Sequence, residues 1–417
     1  MGFADGYLQK PGSGERIISE NPRTGLKNII AIPAYNESGL NKCLDSLFLC
    51  DPPGSHSEVI VLINSSETSS HEIVKRNRLT HRKALQWVEE HLRDDIRFHI
   101  VLKEGLPAKH FGAGLARKLA MDEAVRRFNM INQDGIILSL DADTTVRKDY
   151  LAAVADHFVR TPGTDGCSVS FEHPLEGNEF PQAVYDAIVN YELHQRYYIQ
   201  AVRYTGYPYA HHTVGSAFAV KASACCRQGG MSKRKAGEDF YFIQKVAMQG
   251  HYTDCTSTRV FPSPRPSDRV PFGTGPDIAR QIDNPDAPYM TSNPELFTHL
   301  RALFGMSGRF YRNADPSAIK IPLLKQYLDE TGFLRELQEI RSNVASEATF
   351  KQRFYRKFNM FRILKYIHWA EGRGVSKCEI SEAARTMLQL SDYPYSMENK
   401  RALLEEFRNI QHQPFPT

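Results

Sequence analysis

Five short apolar runs, alternating with segments of helical spacing, constrain this chain most. The runs are Asn28 to Pro33, Glu58 to Ile63, Arg97 to Leu102, Gly135 to Leu140 and Gly166 to Phe171. Between them, Leu40 to Leu49, His71 to Leu92, Gly114 to Phe128 and Lys148 to Val159 repeat their apolar residues as helices do. Strands separated by helices of this length predict βαβ units around a mostly parallel sheet. Further on, Phe180 to Arg203 and Glu238 to Gln249 read as helices, Val214 to Val220 as a strand, and Phe261 to Pro276 as a loop dense in Pro, Arg and Gly. After about Pro294 the pattern is wholly helical. The expected organisation is a loose arm over residues 1–26, an α/β domain over 27–275 and an α-helical domain over 276–417.

Composition narrows the partners. Of 417 residues, 41% are hydrophobic and 24% charged, which fits a globular chain, and a net charge of +4 is too small to suggest a nucleic-acid-binding surface. The seven cysteines include no Cys-x-x-Cys pair, which fits free thiols in a reducing cytoplasm. The first residues show no basic stretch followed by an apolar one, so no signal peptide is expected. No stretch approaches the ~18 apolar residues of a membrane span.

Asp141 and Asp143 close the fourth apolar run, in Leu140-Asp-Ala-Asp-Thr-Thr145. In extended chain, residues two apart point to one side, so both carboxylates should emerge together at the carboxyl end of a core strand. Open α/β sheets bind ligands there. Two adjacent hard oxygen donors suit Mg²⁺ or Mn²⁺ holding a phosphate, against the plainer reading of a polar strand-to-loop turn. Four more segments fall at comparable places. The first run ends in Ile32-Pro-Ala-Tyr-Asn-Glu37, and the second in Asn64-Ser-Ser-Glu-Thr68, where Ser65 and Ser66 read first as turn and cap residues. In His110-Phe-Gly-Ala-Gly-Leu-Ala-Arg117, Gly112 and Gly114 permit close backbone approach before a helix, and Arg117 is placed to reach a diphosphate. Gly229-Gly-Met231 and Gly237-Glu-Asp-Phe240 put Glu238 and Asp239 at a helix start, where simple capping competes with a functional role.

Taken in order, Ile32-Pro-Ala-Tyr-Asn-Glu37, Gly112-Ala-Gly-Leu-Ala-Arg117, Asp141-Ala-Asp143, Gly215-Ser216, Gly229-Gly230 and Gly237-Glu-Asp239 resemble the family 2 glycosyltransferases over residues 27–265. The resemblance implies the GT-A fold, a Rossmann-like nucleotide-binding α/β domain. It implies a transferase, here expected to move a hexose from a nucleotide donor to a hydroxyl of a glycan or lipid-linked acceptor in bacterial surface-glycan or glycolipid synthesis. Pro33, Ala34, Tyr35, Glu37, Asn64, Gly112, Gly114, Arg117, Asp141, Gly215 and Ser216 would line the nucleotide-sugar site, and Asp141 with Asp143 would hold the metal. Asp239 would be the base, with adjacent Glu238 the competing candidate. Two departures stand out. Many relatives carry Asp where this chain has Asn64, which can still donate to and accept from a base edge. Some relatives place a metal-ligating His near Val260 to Arg265, where Ser263 stands; the nearest histidine is His251, and His211 with His212 precede Thr213-Val-Gly-Ser216.

The chemistry follows from these parts. A cation neutralises the leaving diphosphate, and a general base deprotonates the acceptor; direct displacement would invert the anomeric centre. Arg265 and Arg269 stand on a proline-stiffened loop and suit an anionic clamp, against an interdomain linker. Phe350, Phe354, Phe358 and Phe361 recur at helical spacing among basic residues; this reads first as a core stripe with a solvated basic face, and second as a peripheral contact with an anionic membrane. The rivals are a nucleotidyltransferase, which would need a phosphate loop that Pro33-Ala-Tyr-Asn36 is not, and a silent binding scaffold, which would have lost the metal or base carboxylates.

Overall fold

The structure is a computed structural model, described here over residues 2–10, 12–313, 316–393 and 399–411. The chain divides into two compact units. The first comprises 1–185 with 211–280, and the second 186–210 with 281–417.

The first unit is built on an eight-stranded sheet. Its strands are β1 (Leu26–Ala34), β2 (His56–Ser66), β3 (Ile96–Leu106), β4 (Ile136–Ser139), β5 (Thr145–Val146), β6 (Gly166–Phe171), β7 (Phe218–Lys221) and β8 (Tyr252–Phe261), in the order β3-β2-β1-β4-β7-β6-β8-β5. β3, β2, β1 and β4 run parallel, and β7 runs antiparallel to both β4 and β6. The α/β class expected from the sequence is what the structure has. Alternation along each strand divides the core between two faces. Ile30, Ile32, Val59, Val61 and Ile63 pack with Leu44, Trp87 and Leu151. Those three come from helices α2 (Leu40–Phe48), α3 (His71–Glu90) and α5 (Tyr150–Arg160). Ile29, Ala31, Ile60 and Leu62 pack with Ala120, Ala124 and Phe128 of α4 (Ala113–Met130). The chain winds β1-β2-β3 to one side and then crosses to lay β4 on the other side of β1. The β1/β4 boundary is therefore a topological switch point, where the strand ends leave a crevice.

Two segments differ from the sequence reading. The arm is not loose. It holds a short helix, α1 (Asp5–Leu8), and Ala4, Tyr7 and Ile18 are buried in the core. The Tyr7 hydroxyl donates to Asp122 at 2.5 Å, Lys118 donates to Tyr7 at 3.1 Å, and the Glu20 carbonyl accepts from Arg127 at 2.8 Å. Three apolar residues scattered among Gly, Pro and charge give no periodicity, so only the face of α4 reveals their partner. The stretch before Phe261 is also a strand, β8; its Thr- and Ser-rich alternation lacks an apolar run.

The second unit is helical, apart from a two-residue pairing of Met290–Thr291 with Cys378–Glu379 among the described residues. Most of the aromatic helix Gln182–Tyr204 belongs to it, with Tyr197 and Tyr198 packing edge-on to Phe297 at 6.0 Å. That burial explains why the unit begins earlier in the chain than residue 276. Phe350, Phe354 and Phe358 are buried, while Lys351, Arg353, Arg356 and Lys357 are exposed, so the stripe faces the core. Phe361 is 40% exposed, beyond the break where Asn359 caps a new helix. No helix among the described residues is long and apolar enough to cross a membrane.

Candidate active site

The site forms at the carboxyl ends of β1, β2 and β4. Ser139 pairs with Ala31 on one side and Phe218 on the other, which brings the start of β7 to the same edge. Gly215 and Ser216, just before β7, therefore lie beside the end of β4. After β1, Asn36 takes a left-handed conformation (φ 51°) that turns the chain, a conformation Asn tolerates better than most residues. Asn77 of α3 ties the strand ends together: its side chain accepts from the Asn36 N–H at 3.0 Å and donates to the Asn64 carbonyl at 2.7 Å. Sequence reading missed Asn77, as it missed Ser139, because a single polar residue in a helix or apolar run carries no pattern of its own.

Arg117 is the hub of the first cluster. It is buried, and Nε donates to Glu238 at 3.2 Å, Nη1 to Ser139 at 2.6 Å and the Gly215 carbonyl at 3.0 Å, and Nη2 to Asp141 at 2.8 Å. Burial opposes its charge, but the Asp141 and Glu238 carboxylates more than offset that and hold it protonated. An arginine so engaged orients carboxylates instead of extending toward a ligand. Gly215 makes the packing possible, since an added Cβ would lie 2.8 Å from Arg117 Nη2 and 3.0 Å from Asp239 Oδ2. Asp239 accepts from the Phe240 N–H through Oδ1 at 2.7 Å. Burial, then the neighbouring Glu238 charge, push its carboxyl up to about 7.

Gly112 and Gly114 do permit close backbone approach, but the visitor is the chain itself. A Cβ at Gly112 would stand 2.7 Å from the Lys235 carbonyl, and one at Gly114 would stand 2.3 Å from that of Arg234. These glycines seat the segment leading into the helix Glu238–Ala247, whose first residues are Glu238 and Asp239.

The second cluster joins Glu37, Asp143, Arg265 and Arg269. The proline-rich loop returns across the strand ends. Arg265 donates to Glu37 at 3.2 and 2.5 Å and to Asp143 at 3.2 Å. Arg269 donates to Glu37 at 3.0 Å, to Asp143 at 3.2 Å and to the Tyr35 carbonyl at 3.1 Å. Burial works against the Glu37 charge, but the hydrogen bonds from Arg265 and the Gly39 N–H, together with the two guanidinium charges, outweigh it and lower its pKa. Burial, then the Asp141 charge, raise that of Asp143. Tyr35 meets Phe111 edge-on, centroids 5.0 Å apart. Asn64 is buried; its amide nitrogen donates to the Ala34 carbonyl at 2.9 Å, and its Oδ1 has no hydrogen-bond partner among the described residues. Pro33 and Ala34 end β1, and Ser216 is buried.

The donor set suits a divalent cation bound together with a phosphate. With every group ionised, five carboxylates (Glu37, Asp141, Asp143, Glu238, Asp239) face three guanidiniums, an excess of two negative charges. Asp141 Oδ2 and Asp143 Oδ1 accept no hydrogen bond among the described residues. No three His, Cys, Asp or Glu side chains among the described residues gather as a metal site by themselves. Mg²⁺ is commonly held by one or two carboxylates plus substrate phosphates, which this arrangement allows. The histidines considered from sequence lie elsewhere: His211 bonds Asp254 at 3.0 Å, and His212 is buried against Phe171.

Comparison with known proteins bears on the same segments. No curated protein matches the chain. Among solved structures, S. aureus TarS 1–349 in complex with UDP-GlcNAc is similar at 15% identity and a TM-score of 0.41, over 81% of this chain and 93% of that one. The mannosyltransferase PcManGT from Pyrobaculum calidifontis, in complex with GDP-Man and Mn²⁺, is similar at 15% identity and a TM-score of 0.37, over 98% and 92%. A family model described as "Glycosyl transferase family group 2" matches residues 136–282, the stretch that carries Asp141, Asp143, Gly215, Glu238, Asp239, Arg265 and Arg269. The match over residues 136–282 is to the family that the motifs resemble.

Proposed function

We propose that the chain is a metal-dependent glycosyltransferase that moves a sugar, a hexose by family resemblance, from a nucleoside diphosphate to a hydroxyl acceptor. The observation that carries this reading is the meeting of Asp141, Glu238 and Asp239, all three in the family-matched segment, around Arg117 at the β1/β4 switch point. Asp141 and Asp143 would hold Mg²⁺ or Mn²⁺, which when bound supplies Lewis acidity at the leaving diphosphate. Arg117 orients Asp141 and Glu238. Tyr35 and Phe111 border the nucleoside, and Arg265 with Arg269 bind the diphosphate. Asp239 takes the proton of the attacking hydroxyl at Oδ2, the oxygen over Gly215. A carboxyl pushed up to about 7 is well matched to proton transfer near neutral pH. Attack opposite the leaving group inverts the anomeric centre. The proposed acceptor is a glycan or lipid-linked hydroxyl in bacterial surface-glycan synthesis. A thermal-shift screen of UDP, GDP, CDP and dTDP sugars with Mn²⁺ tests the reading, because a ligand that binds the native state raises its melting temperature. Failure of every nucleotide sugar to do so would overturn it.

A further inference from the structure

Arg265 and Arg269 do something the proposed reaction does not require of them. Both guanidiniums lie on Asp143, the carboxylate assigned to the cation, and both lie on Glu37. Glu37 is buried, so it cannot be left without a positive partner at small cost. Asp143 differs: its side chain is 26% exposed, and it is shared by the two arginines at 3.2 Å each, longer than a good charge-assisted bond. The arginines themselves remain 30% and 25% exposed. At its far end the loop passes the helix start, where the exposed Phe272 ring lies over Gly237, beside Glu238 and Asp239. It thus spans from the cation carboxylate to the start of the helix that carries the base.

A guanidinium and a divalent cation compete for the same carboxylate oxygens, and a diphosphate competes with carboxylates for the same guanidiniums. We propose that Arg265 and Arg269 are exchange ligands. Without donor they neutralise Asp143; when the diphosphate arrives with a divalent cation, they release Asp143 and close on the phosphate oxygens, while Glu37 keeps them within reach. No covalent step is involved, and the charge balances: the cation replaces guanidinium charge at Asp143, and the diphosphate replaces carboxylate at the arginines. Consequently the protein binds the cation poorly alone and well with nucleotide, so free metal does not occupy the site before donor does. This rests on the transferase reading for the identity of the diphosphate, but the competition at Asp143 does not.

The test uses Arg265→Gln and Arg269→Gln singly, each leaving the other arginine on Glu37. Mn²⁺ binding without nucleotide is read from the free-ion paramagnetic resonance signal. UDP and GDP binding at saturating Mn²⁺ is read by calorimetry. The expected result has opposite signs: Mn²⁺ alone binds several-fold more tightly in each variant, and the nucleotide that binds wild type binds roughly tenfold more weakly, the size of one lost charge-assisted hydrogen bond. Mn²⁺ affinity that is unchanged or weaker in both variants overturns the exchange, as does tighter Mn²⁺ with unaltered nucleotide affinity. If wild type binds neither UDP nor GDP, the donor half fails with the transferase reading, and the Mn²⁺ measurement still decides whether the arginines hold Asp143 against a cation.

Discussion

Arg117 and Glu238 stand 121 positions apart in the chain and meet inside the protein, Nε to Oε1, at 3.2 Å. The contact joins the helix after the glycine pair to the helix that opens with the two candidate base residues. Through its other nitrogens the same guanidinium reaches Ser139 and Asp141 at the end of β4. One buried cation thereby sets the mutual positions of three segments that sequence spacing leaves independent.

Arg117→Met should therefore destabilise the fold strongly. The substitution leaves Glu238 buried without its cation, and breaking such a pair costs about 3–5 kcal/mol. Urea denaturation at neutral pH measures the loss. A cost under about 1 kcal/mol, the range of an exposed pair, would contradict the hub role.

Asp143→Ala should remove cation-dependent nucleotide binding and leave the fold intact. Asp143 follows a strand end and lies outside both core clusters. Calorimetry of UDP and GDP with and without Mn²⁺ checks it, and a Mn²⁺ enhancement surviving in the variant would exclude Asp143 as a ligand.

Asp239→Asn should keep donor binding and lose transfer by roughly 10²–10⁴-fold, the usual contribution of a general base. In wild type, transfer should rise with pH through about 7 as the carboxyl ionises. The stability effect has the opposite sign. The folded-state pKa is raised above the unfolded value, so the folded chain binds the extra proton, and stability associated with this group is lost as pH climbs from about 4 through about 7. Asp239→Asn should accordingly melt higher than wild type at pH 8, with the gap closing toward pH 4. Glu238→Gln is the discriminating control: successive helical residues diverge by about 100°, so one of the two faces the sugar. Loss of transfer in Glu238→Gln alone would reassign the base.

Gly114→Ala should impair the site from outside it. The added methyl would stand 2.3 Å from the Arg234 carbonyl and 2.8 Å from that of Ser232, so backbone has to move. Overpacking of this kind costs about 1–3 kcal/mol. The displaced segment leads directly to Glu238 and Asp239, so transfer should fall along with stability. An assay of both quantities checks it, and wild-type values for both would show that the segment yields freely.

Much of this was legible in the chain because it is local. Strand and helix periods along residues 26–171 follow from side-chain alternation. Asp141 and Asp143 were legible as acidic residues beside a strand end, but not their placement: β4 stops at Ser139, and both lie in the turn that the Thr144 N–H closes on the Asp141 carbonyl at 3.0 Å, so the period of two does not pair them. The family motifs are likewise short and contiguous, and the family match falls across the second half of them. Contacts between distant segments were not legible. Only the tertiary structure decided that Tyr7 locks the N-terminal arm to Asp122, that residues 232–235 fill the space Gly112 and Gly114 leave open, and that Arg265 and Arg269 land on Glu37 and Asp143. The physical reason is the same in each case. A helix or strand period is fixed by backbone geometry repeated every few residues, whereas a buried ion pair or a glycine's close neighbour is selected by which surfaces the folded sheet brings together.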